Sequence, residues 1–448
     1  KNLLDMMRIE AGAVQLSKEW HPVDEVVGAA LSRLEGRLHD HTVNAAFPAD
    51  LPLVLVDGVY RDVKLKFNAS GEPDKPITLR AQTPGKVVIV GRSELIISGE
   101  HLVVSGLVFD QAWGSRVVEL SWANHSRLTD CAFVACGNPA STFSHIVYLI
   151  KGSASNRVDH CYFEGSLSMS LGVSIHEDDP FNPYNRFDHN FFKDIIRRSS
   201  NGQEAVQLGQ NTFSARQPMH TLVEHNLFDN ASGDGEIVCN KSCCNIIRFN
   251  TFTNCRGSIS LRSGGSALVQ GNVLLNCDGG VRVHASHSVI FANRTEGCGE
   301  GLTLDLGNGP EIDVDGHTTA HHCVFANNVV RNCGTAAIRI GRRHSGERAS
   351  AWQVPFANAF VNNVLSGNAG ELVRFDAPND QLWRANSVWA EGKAKPGAQP
   401  AGVKIEQAAA LRAEKIAEFK ADVAPNLAGM MCARSFEDAF PARMEVRT

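Results

Sequence analysis

KSCCNIIRFNTFTNCRGSISLR, residues 241–262, sets a lysine and an arginine 21 positions apart, with one repeat unit between them. Within it, Asn250-Thr-Phe has counterparts at Asn226-Leu-Phe, Asn272-Val-Leu and Asn293-Arg-Thr, at steps of 24, 22 and 21. The same pattern, led by Leu, Cys or Asn, starts at Leu107, Cys131, Cys161, Asn190, Asn328, Asn363 and Asn386, where some steps lengthen to between 29 and 36. A floor of 21–24 with occasional longer steps means a coil of fixed length carrying inserted loops. Short strands repeating at this period predict an all-β solenoid, a parallel β-helix. Leucine-rich repeats share the period, but their leucine signature is absent. The recurring Asn should stack at one corner, amide to amide.

A second strand in each coil alternates with period two: AVQLG (205–209), EIVCN (236–240), ISLRS (259–263), GVRVH (280–284), LTLDL (302–306) and AIRIG (337–341). Ile259, Leu261, Val281, Val283, Ile338 and Ile340 should point inward. Gln207, Arg262, Arg282, His284, Asp305 and Arg339 should then form one outward ridge, a local cationic track. A coil of 21 residues would place Lys241 and Arg262 on neighbouring rungs, beside Asp234 and Glu236.

The bulk composition, 43% hydrophobic and 20% charged, is that of an ordinary globular chain. A net charge of -5 gives no general attraction for polyanions, so no nucleic-acid partner is expected. No apolar run is long enough to span a bilayer, and no signal peptide is recognised, although the chain begins at Lys1 without Met. The 12 cysteines lack disulfide or zinc spacing. Cys255, Cys277 and Cys298 follow the repeat and read as small core residues. Glu177, Asp178 and Asp179 read as a solvated loop. DVDGHTTAHH (313–322) lacks calcium-loop spacing and reads as a loop over the groove.

Three regions are expected: 1–58, helical; 59–392, the β-helix; and 393–448, a linker (KAKPGAQPAG) followed by a helical cap at IEQAAALRAEKIAEF. The first region carries an apolar stripe at Val26, Val27, Ala30, Leu31, Leu34 and Leu38. Its LLDMMRIEAG and PADLPLVLVDGV resemble the sensor histidine kinases, most closely the potassium-responsive kind. The ATP-binding motifs of that family do not follow Val59, so no kinase activity is expected. Helix 24–38 is expected to cap the first coil. VDGV (56–59) suits both texts and marks the expected junction of a chimera.

From about Leu53 to Ala390, PITLRAQTPGKVVIVG (76–91), NGQE, GDGEI, KSCCNIIRFNTFTNCRGSISLR and GGVRV resemble the family-six polysaccharide lyases, which include alginate lyases and chondroitinase B. The resemblance implies a right-handed parallel β-helix that cleaves acidic polysaccharides by β-elimination. It implies Lys241 as the catalytic base and Arg262 as the assisting arginine. It implies calcium held by Asn201, Asp234 and Glu236, with Glu204 as an extra ligand. Arg282 and His287 fit its substrate-binding strand, with His284 and Arg339 as further contacts. Asp234 stands where glutamate is more usual, Ser263 where histidine is common, and Gln207 where arginine is common. Removal of the proton beside a uronate carboxylate builds charge that a cation or fixed donors must neutralise. Lysine is a weak base at its reference value of about 10.4, so Arg262 and a cation are expected to lower it.

The expected partner is alginate, as monomer or dimer, in a secreted or periplasmic setting. The alternatives are a dermatan lyase, a catalytically weak acidic-polysaccharide-binding β-helix, and a signalling fusion in which the helical segment dimerises the solenoid.

Overall fold

The computed structural model describes residues 32–33, 52–181, 183–310, 317–343 and 352–405. The chain divides into two units between Val54 and Leu55, and the second carries the features below. Its strands build three parallel sheets of 13, 14 and 13 strands. Each coil gives one strand to each sheet, so sheet neighbours lie three strands apart in sequence. This is a right-handed parallel β-helix: the repeat predicts the β-helix and the family resemblance its hand.

The corner that fixes the coil has a local cause. The residue before each repeat Asn takes the left-handed conformation: His189 (φ 55°), His225 (54°), Phe249 (55°), Ala292 (53°) and Asn327 (57°). The Asn that follows turns inward. Asn190, Asn226, Asn250, Asn272, Asn293, Asn328, Asn363 and Asn386 are all buried. Asn190 Oδ1 accepts the Cys161 backbone N–H at 3.0 Å, and from Asn226 onwards the Oδ1 of each accepts the backbone N–H of the Asn one coil earlier at 2.9–3.0 Å. It also accepts the earlier Nδ2 at 2.8–3.0 Å. An unsatisfied buried donor costs about 1–3 kcal/mol, so each coil needs its Asn and the repeat persists in the sequence.

Inside, Phe109, Phe133, Phe163, Phe192, Phe228 and Phe252 stack with centroids 4.4–4.9 Å apart. That rise matches the spacing of hydrogen-bonded strands. Cys255, Cys277 and Cys298 are buried free thiols in this stack of coils.

The solenoid continues beyond Glu391. The stretch expected to be a linker supplies Lys395–Gly397, paired with Glu371–Phe375, and is followed by Val403–Ile405, paired with Asn386–Ala390. Backbone pairing therefore carries the stack to Ile405. The segments expected to be helical, 1–58 with its cap of residues 24–38 and the stretch from Ile405, lie outside the described residues apart from 32–33, 52–58 and Ile405. So does 313–316 of the loop read from DVDGHTTAHH. Leu53–Leu55 and Gly58–Arg61 are strands, so the expected helical region does not reach 58. Among the described residues no helix is long and apolar enough to cross a membrane.

Candidate active site

One sheet carries the site. Its relevant strands are β1 (His145–Ile150), β2 (Met169–Val173), β3 (Val206–Leu208), β4 (Glu236–Asn240), β5 (Ser258–Leu261), β6 (Gly279–Val283), β7 (Glu300–Leu304) and β8 (Ala336–Ile340). The register aligns Val238, Ile259 and Val281 as one buried inward row. Cys239, Ser260 and Arg282 form the adjoining row. Lys241, Arg262 and His284 follow the ends of β4, β5 and β6. Each extends the ladder by one bond: Lys241 N–H to Leu208 O (2.7 Å), Arg262 N–H to Asn240 O (2.8 Å) and His284 N–H to Leu261 O (2.7 Å). Lys241 and Arg262 thus occupy equivalent positions on adjacent coils.

Three buried carboxylates lie beside them. Glu204 Oε1 is 3.7 Å from Lys241 Nζ and accepts Gln207 Nε2 at 3.2 Å. Its Oε2 is buried with no hydrogen-bond partner. Asp234 accepts Gly202 N–H on one oxygen and Glu236 N–H on the other, both at 3.1 Å. Glu236 Oε1 pairs with Arg282 and lies 3.5 Å from Arg262, and its Oε2 accepts the Cys239 thiol at 2.7 Å.

Burial pushes the Glu204 carboxyl up to about 7, with Lys241 opposing and Asp234 and Glu236 adding. Burial and then Glu236 raise Asp234 as well. Burial acts in the same sense on Glu236, but Arg282, Arg262 and Lys241 outweigh it and hold this carboxyl at about 2. Lys241 is raised above the ordinary lysine value, by Cys239 only where that thiol ionises and otherwise by Glu204 and Glu236, against burial and Arg262. Burial keeps the Cys239 thiol protonated, so the charge Lys241 meets is that of the carboxylates. The expected lowering by Arg262 is present in sign and loses to these anions.

The family model described as Chondroitinase B matches residues 38–373. The chain belongs to the chondroitinase B family. The structure of the PL6 family alginate lyase AlyGC is similar at 30% identity and a TM-score of 0.71, covering 83% of this chain and 52% of that one. The chain thus spans about half the length of AlyGC. A mannuronic acid specific polysaccharide family 6 lyase from human gut microbiota is similar at 26% identity and a TM-score of 0.69, covering 80% of this chain and 85% of that one. The sensor protein KdpD of Escherichia coli (strain K12) is 49% identical over 57 residues, 13% of this chain and 6% of that one.

This chondroitinase B family member departs from the expected single exposed ridge. Register puts Gln207, Cys239, Ser260, Arg282, Thr303 and Arg339 on one row, and Arg262 stands on the next, with Lys241 and His284. Gln207 is buried, because His145 reaches it across the intervening coil, Nε2 to Oε1 at 3.1 Å. Gly172 makes that reach feasible: a Cβ there would lie 2.9 Å from His145 Cδ2. His284 and Asp305 are also buried, since His284 packs on His317 at 4.3 Å and Arg342 holds both Asp305 oxygens at 2.8–2.9 Å. Ser263 is buried and its hydroxyl has no hydrogen-bond partner, so it does not line the groove.

Arg282 also donates to Ser260 Oγ at 3.2 Å, and Arg339 lies between Glu300 and Asp376, 2.5 Å from each. Both arginines are thus committed to carboxylates. His287 is exposed at the turn after β6. Asn201 is exposed, and its carbonyl accepts Thr142 Oγ1 at 3.0 Å. Sequence reasoning named Glu204 only as an extra ligand and missed Cys239 and His145. The odd alternation of GQEAVQL, with Glu204 three residues before Gln207, is the signal that could have found the buried bridge.

Proposed function

We propose that this chain cleaves an acidic uronate polysaccharide, alginate in the first instance, by β-elimination. Lys241 takes the proton from the carbon bearing the carboxylate, and Arg262 lies opposite the charge that builds. The C–O bond to the 4-oxygen breaks, the leaving oxygen takes a proton, and a 4,5-unsaturated uronate end remains. The observation that carries this reading is the placement of Lys241 and Arg262 at equivalent positions of adjacent coils above Glu204 and Glu236.

Lys241 must lose its proton to act as base. Glu204 and Glu236 hold that proton on, so neutralising them lowers the lysine towards a working value. The residues present fit a hard cation: Glu204, Asp234 and Glu236 offer oxygen ligands, and Glu204 Oε2 is an orphaned buried oxygen. Calcium held there supplies positive charge for the substrate carboxylate. Glu204, rather than exposed Asn201, is the better placed third ligand.

An extracellular polymer as substrate implies a secreted or periplasmic setting. The segment similar to KdpD is read as a fused fragment with no part in the reaction. Incubation with alginate, following ultraviolet absorbance of the unsaturated product, tests the proposal. Product from the natural chain and none from Lys241→Ala is expected. Binding without product would make the protein a carbohydrate-binding β-helix instead.

A further inference from the structure

We propose that His287, His321 and His322 bind a transition-metal ion of the nickel, copper or zinc class, apart from the carboxylate cluster. Ser286 pairs with His321 across adjacent coils, so His287 and His322 occupy equivalent positions one coil apart. Their rings stack with centroids 5.2 Å apart at 5°. His321 stands edge-on to both, at 5.3 Å and 82° to His287 and at 5.2 Å and 87° to His322. One ring nitrogen from each of the three lies within 4.8 Å of the others.

Stacked histidines occur elsewhere on this solenoid. His160, His189 and His225 stack at 5.1–5.2 Å with one ring per coil. The third ring, His321, sets the cluster apart. Its Nε2 lies 3.2 Å from the carbonyl oxygen of Pro310. A carbonyl only accepts, so Nε2 carries the proton and Nδ1 of the neutral ring is the acceptor in its bond with His322 Nδ1, a bond that a metal ion would replace as the His322 proton moves to its own Nε2. Metal-binding histidines are held in this way, with the second nitrogen donating to a backbone carbonyl. The His321 and His322 Nδ1 atoms are 2.9 Å apart. With metal–nitrogen bonds of about 2.0–2.1 Å, that separation subtends an angle near 90°, which suits neighbouring positions around one ion. His287 is exposed, and the rings it packs on are those of His321 and His322, so the small turn needed to complete the set moves it only against its fellow ligands.

Three imidazoles with no carboxylate select a borderline transition metal over calcium. The ion would tie the coil of His287 to the next coil at the point where the long connection after β7 rejoins the solenoid. Its role would be a metal clamp on that connection.

Cobalt(II) is the probe of choice for the chelator-stripped full chain. One equivalent should give visible d–d absorbance without a thiolate-to-cobalt charge-transfer band. The melting temperature should rise with nickel(II) or zinc(II). His321→Ala and His287→Gln should each weaken cobalt binding roughly tenfold or more. His287→Gln changes an exposed residue and keeps the test informative if His321→Ala fails to fold. The proposal is overturned if no band forms, if either folded variant binds as tightly as the natural chain, or if the band carries thiolate character. That last result would put the ion on cysteines such as Cys243 and Cys244.

Discussion

Lys241 Nζ lies 3.7 Å from Glu204 Oε1, and the neighbouring carboxylate, Glu236, is held by Arg282 and Arg262. Glu204 is thus the carboxylate that answers most directly to the lysine. Its anionic form raises Lys241, and Lys241 in turn opposes the rise that burial imposes on Glu204. Glu204→Gln removes that anion and should lower Lys241 towards the ordinary lysine value. On the proposed mechanism elimination needs the neutral amine, so kcat/KM should rise with pH as Lys241 deprotonates. In the variant the rising limb should move to lower pH. An unmoved limb would mean that Glu204 does not set the state of the lysine.

Arg282 is the largest cationic influence on Glu236. Substituting Arg282→Met leaves Glu236 buried with only more distant cations, and removal of one partner of a buried pair costs about 3 kcal/mol. The urea midpoint should fall accordingly. The double variant Arg282→Met/Glu236→Gln should recover part of the loss, because it also removes the stranded charge. A variant that keeps its midpoint but loses affinity for alginate would assign Arg282 to the substrate, as the family resemblance implied.

The coil and its two cationic ends were legible in the sequence because each has a cost per coil. Asn272 must recur at Asn293 or the Asn272 amide and backbone N–H lose their acceptor. Alternation also placed Val281 and Val283 inward, where they are fully buried. Alternation gives the face of a residue but not what covers that face. Gln207, His284 and Asp305 point away from the core row and are buried all the same, under His145, His317 and Arg342. Those partners come from 62, 33 and 37 positions away, through inserted loops of no fixed length. The same limit hid the histidine cluster: His321 and His322 lack any metal spacing of their own, and the third ring arrives from the preceding coil.

Acid should loosen the first half of the solenoid through a ladder of buried aspartates. Asp159 and Asp188 are fully buried, with Arg127 Nε donating to Asp159 at 2.7 Å and Arg157 Nε to Asp188 at 2.8 Å. Burial alone would raise Asp188, but His189 and Arg157 hold it well below the ordinary carboxylate value. A depressed folded value gives stability that is full above the unfolded value, about 3.9, and is lost as pH falls towards the folded value. Asp188→Asn should therefore be less stable than the natural chain at pH 7. The gap should narrow below about pH 4. Urea midpoints at a series of pH values measure this, and a gap independent of pH would mean that the charge of Asp188 contributes nothing.

If the carboxylate cluster takes calcium as proposed, Asp234 should set how tightly. Both its oxygens accept backbone N–H groups, from Gly202 and Glu236, so it also locks the turn at 201–204 to the next coil. A ligand bound to the folded chain stabilises it by mass action, about 2.7 kcal/mol at 100 times the dissociation constant. Calcium should therefore raise the melting temperature of chelator-treated protein. Asp234→Asn should abolish that rise, since the amide cannot supply the charge. Asp234→Glu restores the longer side chain usual in the family and should give the same rise at a lower calcium concentration. If millimolar calcium leaves the natural chain unmoved, the cluster serves Lys241 and the turn alone, and the raised Glu204 carboxyl becomes the only switch on the lysine.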